Sequence, residues 1–208
     1  MNDKIKKIIN TLNEMYPDAY CELNHTNEFE LLIAVMLSAQ TTDKSVNKLT
    51  KTLFKKYHTP QDYINVDLKE LENDIKVIGL YHNKAKNIKK LSKQLIDQFN
   101  SKVPNNLDDL QKLAGVGRKT ANVVVANAFN IPAIAVDTHV ERVAKRLKLA
   151  YQNDTILQVE NKLMKKFPKE MWSKLHHQLI FFGRYHCKAI NPQCDNCQLK
   201  SICRYPNI

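Results

Sequence analysis

Apolar residues recur at steps of three and four along most of this chain, which is the spacing of one face of an α-helix. One stripe starts at Ile5, and a second, richly apolar one starts at Leu31 and predicts a buried central helix. Glycine occurs at only four positions, so few segments contain the residue that most often weakens a helix. The pattern therefore predicts an all-α fold. The predicted helices lie near residues 5–12, 31–36, 46–54, 83–99, 107–113, 118–129, 138–147, 155–167 and 171–186.

One short segment departs from the helical pattern. Residues 131–136 read Ile-Pro-Ala-Ile-Ala-Val and are the best strand candidate, although Pro132 would confine such a strand to a sheet edge. The breaks at Pro104 and Pro132 are typical of turns between helices. The sequence contains no repeat, low-complexity tract or flexible linker, and 208 residues accommodate one large or two small domains.

The chain is strongly basic. Its 32 Lys and Arg residues against 21 Asp and Glu give a formal net charge of +11. Excess positive charge favours approach to a polyanion such as nucleic acid. A lysine-rich surface that aids solubility, or the codon usage of an AT-rich genome, would give the same composition. The charge alone therefore leaves nucleic-acid binding open.

The sequence also predicts where the protein works. The N-terminal residues lack the apolar core of a signal peptide, and no run approaches the apolar length of a membrane span. We therefore expect a cytoplasmic protein without a membrane partner, at the nucleoid if it binds DNA. No feature of the sequence marks an oligomer surface, so a monomer is expected.

Four of the five cysteines are close together near the end of the chain, in the spacing C-x6-C-x2-C-x5-C. In a reducing compartment such a group favours metal binding over disulfides. Structural zinc usually uses two close cysteine pairs, whereas only one close pair is present here, and uneven gaps suit a four-cysteine iron–sulfur cluster better. Zinc and a cluster both remain open from spacing alone. The four residues are Cys187, Cys194, Cys197 and Cys203, and the fifth cysteine is Cys21.

A second motif lies at residues 113–121, Leu-Ala-Gly-Val-Gly-Arg-Lys-Thr-Ala. It places Gly115 and Gly117 between two predicted helices. Glycine permits close backbone approach, and the free N–H groups at a helix start favour a phosphate. Such a turn would bind phosphate without regard to base sequence. The alternative is a plain helical hairpin with glycine C-caps.

Two nearby residues are candidates for chemistry. Lys119 lies in the first turn of the helix after the glycines, where the positive helix end disfavours a further cation, and a neutral amine can form a Schiff base. Taken alone, Lys119 is better explained as a surface or phosphate-contacting lysine than as a nucleophile. Asp137 follows an apolar run and is either a helix N-cap or a carboxylate that stabilises a cationic transition state. Thr138 with Glu141 also matches a capping box.

The turn at 113–121, the segment 136–139 and the cysteine quartet together resemble the endonuclease III family of helix-hairpin-helix DNA glycosylases and abasic-site lyases. The segment 31–40 is similar to that family's buried helix and first DNA-probing loop, and the segment 78–81 is similar to its second probing loop. The resemblance covers nearly the whole chain. The quartet combined with the hairpin lysine is specific, whereas either alone is not.

The resemblance implies two helical domains with a DNA cleft between them. A six-helix barrel domain would span residues 21–131 and contain the helix-hairpin-helix at about 107–129. Residues 1–20 with 132–208 would form an iron–sulfur domain with its cluster loop at 187–203. The four cysteines of that loop would hold a [4Fe-4S] cluster, which in this family is mainly structural and shapes a DNA-contacting loop.

The resemblance also implies which residues touch double-stranded DNA. Gln40 would fill the gap left by an extruded nucleotide, and Leu80 would insert into the opposite strand, although without the family both are ordinary loop residues. Base flipping costs a few kcal/mol, which such contacts offset. The backbone-phosphate contacts would come from Gly115, Val116, Gly117, Thr120 and Lys188.

The implied activity is base excision repair of oxidised or ring-saturated pyrimidines and abasic sites. Lys119 would attack C1′ of the flipped nucleotide and displace the base, and β-elimination from the resulting imine would break the strand on the 3′ side. Asp137 would stabilise the cationic sugar and help to deprotonate Lys119. The amine supplies the covalent chemistry, so the reaction needs no added cofactor.

The chain departs from the family at Ala114, where proline usually precedes Gly-x-Gly. Losing a proline costs about 0.4–1 kcal/mol of stability and predicts a slightly looser hairpin.

Two rivals remain. A monofunctional glycosylase of the adenine-mismatch branch would lack lysine at the position of Lys119 and would add a domain after the cluster, whereas this sequence ends five residues after Cys203. A non-enzymatic DNA-binding module would form no covalent intermediate.

Overall fold

The computed structural model describes residues 2–205, and the regular elements in that part of the chain are helical. The predicted all-α fold and each predicted helix are thus confirmed, with ends that differ by a few residues. The helices are α1 (Asp3–Met15), α2 (Glu28–Leu37), α3 (Asp43–Lys56), α4 (Pro60–Asn65), α5 (Leu68–Ile75), α6 (Tyr81–Phe99), α7 (Leu107–Lys112), α8 (Arg118–Ala128), α9 (Thr138–Arg146), α10 (Ile156–Lys166) and α11 (Trp172–Phe181).

Most helices follow an N-cap residue whose side chain accepts a hydrogen bond from a backbone N–H of the first turn. Such residues are the usual signal of a helix start in a sequence. Asn27 caps α2 in this way, and Thr59 forms a reciprocal capping box with Asp62 at α4. Two of the helices without a side-chain cap begin at residues for which the sequence predicts DNA contact. They are α6, which begins after Leu80, and α8, which begins after Gly117.

Residues 22–130 form one compact unit, which contains α2 to α8. Its centre is α2, where every residue from Phe29 to Leu37 is buried because α3, α6 and α8 pack around it. A helix that is apolar all round is buried, and Glu30 is the one polar residue among the buried residues of α2. The central buried helix predicted from the sequence is therefore confirmed.

The second unit joins the residues up to Cys21 to those from Ile131 onwards. Its core combines the apolar face of α1 with α9, α10 and α11. Gln178 of α11 donates from Nε2 to the carbonyls of Leu12 and Tyr16, each at 3.2 Å, and thereby satisfies groups at the C-terminal end of α1. Lys7 Nζ donates to Ser201 Oγ at 2.9 Å, so α1 also touches the segment that contains the cysteines.

The predicted strand at residues 131–136 is wrong. The segment has no regular secondary structure although Ala133–Val136 is buried, and the described part of the chain contains no strand. Pro132 lacks an N–H, and the surrounding helices already use their own backbone groups. The apolar run reflects burial between helices, which alternation alone does not distinguish from a strand.

Three helical details were not visible in the periodicity. The short helices α4 and α5 hold too few residues for a reliable stripe, although the Thr59–Asp62 box marks the first. The single helix predicted at 171–186 starts as a 3₁₀ turn at Lys169–Met171 and widens after α11 into a π-helix at Phe182–His186.

No helix in residues 2–205 is both long and apolar enough to cross a membrane.

Candidate functional site

The turn between α7 and α8 has a conformation that requires glycine at one position. Gly115 has φ +77°, and an added Cβ would lie 2.8 Å from Met36 Cε and 3.0 Å from Asn87 Cβ. The turn is closed by a hydrogen bond from the Val116 N–H to the Leu113 carbonyl at 3.1 Å. The glycine is therefore needed both for the left-handed backbone and for close packing on α2 and α6.

Gly117 serves a different purpose. It is the N-cap of α8, has φ −87°, and a Cβ added to it would meet no atom within 4 Å. The first turn of α8 has no side-chain cap, so its backbone N–H groups and the positive end of the helix are open to an anion. Val116 is buried and uses its N–H to close the turn, while Thr120, in the first turn of α8, is half-buried.

Lys119 is the second residue of α8, and its side chain is exposed. Gly115, Val116, Gly117, Lys119 and Thr120 thus lie within one turn of backbone, as the sequence motif indicates. The arrangement can bind a phosphate with main-chain donors and present an amine beside it.

Asp137 is the N-cap of α9, and Thr138 is the first helical residue. The capping box of Thr138 with Glu141 is therefore wrong, because a residue inside the first turn cannot cap it. The Asp137 Oδ1 atom accepts both the His139 N–H at 2.9 Å and the Val140 N–H at 2.8 Å. The cap uses one carboxylate oxygen of a half-buried side chain, so capping does not require the negative charge.

Gln40 and Leu80 share an uncommon backbone conformation. Gln40 has φ 55° in the loop after α2, and Leu80 has φ 59° immediately before α6. Both side chains are exposed, Leu80 by 52%. A left-handed conformation is costly for a residue other than glycine and clusters at functional sites. Neither conformation is readable from the sequence.

The four clustered cysteines line one pocket of about 370 Å³, part of which is open to solvent. The walls also include Leu147 and Phe182 from the core. Among residues 2–205, however, no three His, Cys, Asp or Glu side chains are placed to hold a single metal ion. The four thiols therefore line one shared space, as a metal centre with four cysteine ligands requires.

Hydrogen-bond donors surround these sulfur atoms. Arg146 Nη1 lies 3.4 Å from Cys187 Sγ, the Tyr205 N–H donates to Cys203 Sγ at 3.4 Å, and the Leu199 N–H donates to Cys197. Burial raises the pKa of the Cys187 and Cys197 thiols, and these hydrogen bonds oppose that effect. Donors directed at sulfur stabilise thiolates, which is the form that binds a metal or a cluster.

Arg142 and Arg146, one turn apart on α9, bind the start of the cysteine loop. Arg142 Nη2 donates to the Gly183 carbonyl at 2.7 Å and its Nε to the Cys187 carbonyl at 3.2 Å. Arg146 Nη1 donates to the Lys188 carbonyl at 2.7 Å. The Lys188 side chain itself is exposed. The sequence analysis missed both arginines, although their i,i+4 spacing was a signal that they share a face of α9.

Comparison with known proteins places these features in a family context. Residues 33–169 match the model of the HhH-GPD superfamily base excision DNA repair protein. Endonuclease III of Bacillus subtilis (strain 168) is 60% identical over 201 residues, which cover 97% of this chain and 92% of that protein. Endonuclease III of Haemophilus influenzae is 48% identical over 199 residues, which cover 96% and 94%. A structure of a trapped endonuclease III–DNA covalent intermediate, in an estranged-adenine complex, is 61% identical and superposes with a TM-score of 0.95, covering 97% of this chain and 95% of that one.

Proposed function

Because the chain belongs to the endonuclease III family within the HhH-GPD superfamily of base excision DNA repair proteins, we propose that Lys119 and Asp137 perform its chemistry. The protein is a DNA glycosylase with abasic-site lyase activity. Its substrates are oxidised or ring-saturated pyrimidines and abasic sites in the double-stranded DNA of the nucleoid. The observation that supports this most directly is an exposed lysine in the uncapped first turn of α8, directly after the Gly115–Gly117 turn.

The proposed reaction starts from a neutral Lys119 amine. Its nitrogen forms a bond to C1′ while the bond from C1′ to the base breaks, and the base leaves with the electron pair and takes a proton. Opening of the sugar gives an imine, which acidifies the C2′ proton. Loss of that proton expels the 3′ phosphate by β-elimination, and water then releases Lys119.

Asp137 has two tasks in this proposal. Its Oδ1 holds the start of α9, and its negative charge stabilises the cationic sugar and receives the proton that Lys119 loses. The carboxylate is oriented by the backbone of α9 before substrate arrives. Preorganised charge of this kind stabilises a transition state without reorganisation during the reaction.

DNA is held by backbone and side-chain contacts. The phosphate near the lesion lies against the turn of Gly115, Val116 and Gly117, where the N–H groups of Gly117 and Thr120 at the start of α8 donate to it, and Lys188 binds phosphate from the cysteine loop. Gln40 occupies the space of the extruded nucleotide, and Leu80 enters the opposite strand. Their exposed side chains on fixed left-handed residues support these roles.

A metal cluster is a general property of the endonuclease III family, and we infer that here it is a [4Fe-4S] cluster on Cys187, Cys194, Cys197 and Cys203. The shared pocket and the donors to sulfur support this assignment. When bound, the cluster supplies cross-links that fix the loop and, with it, Lys188. Purified protein should absorb broadly in the visible and contain four iron and four acid-labile sulfide per chain. A colourless protein with one zinc per chain would overturn the assignment.

The reaction is tested by borohydride trapping on a duplex with one oxidised pyrimidine. Wild-type protein should give a covalent adduct, and Lys119→Arg, which keeps the cation but forms no imine, should give none. Lys48→Ala, at an exposed lysine of α3, is the matched control and should trap like the wild type. An adduct with Lys119→Arg would exclude Lys119 as the nucleophile. Tight binding without any wild-type adduct would indicate a monofunctional glycosylase or a binding module, which base release would separate.

A further inference from the structure

Lys84 is a buried lysine in the first turn of α6, with only 6% of its surface exposed. Its Nζ donates to the Leu37 carbonyl at 2.9 Å, to the Ala39 carbonyl at 2.8 Å and to Thr41 Oγ1 at 3.0 Å. An ammonium group has three donors, so all three are used on a single loop. These acceptors are uncharged, and burial lowers the pKa of Lys84.

The loop that Lys84 binds is the one that contains Gln40. Two of the three acceptors belong to the residues on either side of Gln40, and the third lies at the end of α2. A cation at a helix C-terminus stabilises the free carbonyls there. Lys84 therefore stabilises the backbone that holds Gln40 in its left-handed conformation.

The same lysine is connected to the second probing residue through its backbone. The Lys84 N–H donates to the Leu80 carbonyl at 3.0 Å and forms the first helical hydrogen bond of α6. Leu80 has no side-chain cap, so this bond is part of what fixes its left-handed conformation. One residue thus binds the loop of Gln40 with its side chain and Leu80 with its main chain.

We propose that Lys84 is a positioning residue that holds Gln40 and Leu80 as one preorganised unit, so that both enter the duplex together when a damaged nucleotide is extruded. The proposal rests on the DNA-probing roles proposed above for Gln40 and Leu80. Residues held in advance do not have to be ordered at the moment of extrusion, which lowers the barrier to that step. Lys84 itself touches neither the reacting atoms nor DNA in this proposal.

Helix α6 offers a matched control in Lys89. Its Nζ also donates to three carbonyls, including those of Tyr63 at 3.0 Å and Ile64 at 2.8 Å, but these lie at the end of α4, in a different loop. Lys84→Met and Lys89→Met remove the same number of donors from the same helix. A purely structural role predicts the same consequences for both variants.

The experiment uses a duplex with one oxidised pyrimidine next to 2-aminopurine, whose fluorescence rises when the stack opens. Lys84→Met should slow this rise about ten- to a hundredfold, while affinity for undamaged duplex changes less than about twofold. With Lys89→Met, the damaged nucleotide should be extruded at the wild-type rate. Lys84→Met leaves the main-chain bond to Leu80 in place and removes only the side-chain bonds to the loop of Gln40. The double variant Lys84→Met/Gln40→Ala should therefore be no slower than Gln40→Ala by more than about twofold.

Several outcomes would overturn the proposal. These are wild-type extrusion by folded Lys84→Met, an equal effect of Lys89→Met, or losses that multiply in the double variant. If Lys84→Met does not fold, Lys84→Gln keeps two N–H donors on a shorter, uncharged side chain and should give an intermediate rate, and a wild-type rate would again overturn the proposal. Borohydride trapping on the same duplex reports the chemistry separately, so absence of a wild-type adduct would contradict the proposed function without deciding the role of Lys84.

Discussion

The Oε1 atom of Gln94 accepts a hydrogen bond from the Ala114 N–H at 2.8 Å. The other end of the same side chain, Nε2, donates to the Lys112 carbonyl at 3.0 Å. Gln94 of α6 therefore binds the backbone on both sides of Leu113, where the chain enters the hairpin turn. Proline at position 114 would have no N–H for this contact. The alanine that departs from the family pattern provides a hydrogen bond where proline would provide rigidity.

Gln94→Ala should lower the free energy of unfolding by about 1 kcal/mol, because two hydrogen bonds to the hairpin backbone are lost. Ala114→Pro should be close to neutral. Leu113 already has the extended backbone (φ −72°, ψ 141°) that precedes proline, so a gain of about 0.4–1 kcal/mol offsets the lost hydrogen bond. Urea unfolding of both single variants and the double variant measures the coupling. Gln94→Ala should lower the free energy of unfolding by less when residue 114 is proline, because one of its two hydrogen bonds is then already absent. Losses of stability that simply add in the double variant would contradict this coupling.

Asp137→Asn should leave the melting temperature within a few degrees of the wild type, because an asparagine Oδ1 caps α9 as well as an aspartate does. Turnover of a duplex with an oxidised pyrimidine should fall by at least about tenfold, since the charge is lost. Asp137→Ala is the comparison variant and should also lose about 1 kcal/mol of stability. Unchanged turnover in Asp137→Asn would show that Asp137 acts only as the N-cap of α9 and takes no part in the reaction.

Gly117→Ala should fold normally but bind DNA less tightly. The added methyl meets no protein atom, so the substitution affects only the approach of a phosphate to the start of α8. Affinity for damaged and undamaged duplex should fall alike, and the dependence of affinity on salt should flatten. Gly115→Ala should instead reduce stability, because of its φ of +77° and its contact with Met36. An unchanged salt slope in Gly117→Ala would exclude the phosphate role.

Stability should fall as the pH drops below about 6.5. Burial lowers the pKa of His177 from 6.5 to about 4, so between these values the unfolded chain binds a proton that the folded protein does not. The loss has an upper bound of about 1.4 kcal/mol per pH unit. Urea unfolding at several pH values should give a shallower slope for His177→Gln than for the wild type. The same slope in His177→Gln and the wild type would contradict this prediction.

The sequence predicted well those features that repeat along the chain or occupy fixed spacings. The periodicity of residues 31–36 gave the buried helix α2, and the spacing of the cysteines grouped the four thiols that line one pocket. The segment 131–136 was mistaken for a strand because burial between helices and pairing in a sheet select the same apolar residues.

Features that depend on long-range contacts could not be predicted. A lysine in an amphipathic helix is normally exposed, so no sequence pattern predicts that Lys84 is buried against the loop after α2. The same holds for Arg146, whose position on α9 would suit solvent but whose side chain lies against Cys187. The left-handed conformation of Gln40 likewise follows from its neighbours and not from its own propensity.

The division of the chain into a continuous unit and one made from two separate segments has a consequence for biosynthesis. A ribosome completes α1 first, but the residues that cover its apolar face follow only after Asn130. At a translation rate of about 5–20 residues per second, the side chains of Ile8 and Leu12 stay uncovered for on the order of ten seconds, until the residues that pack against them have been synthesised. Residues 22–130 can complete their own core in that interval. The last step is then closure of α1 against α11 and the cysteine loop, so the four cysteines come to line one pocket only after the whole quartet has been translated.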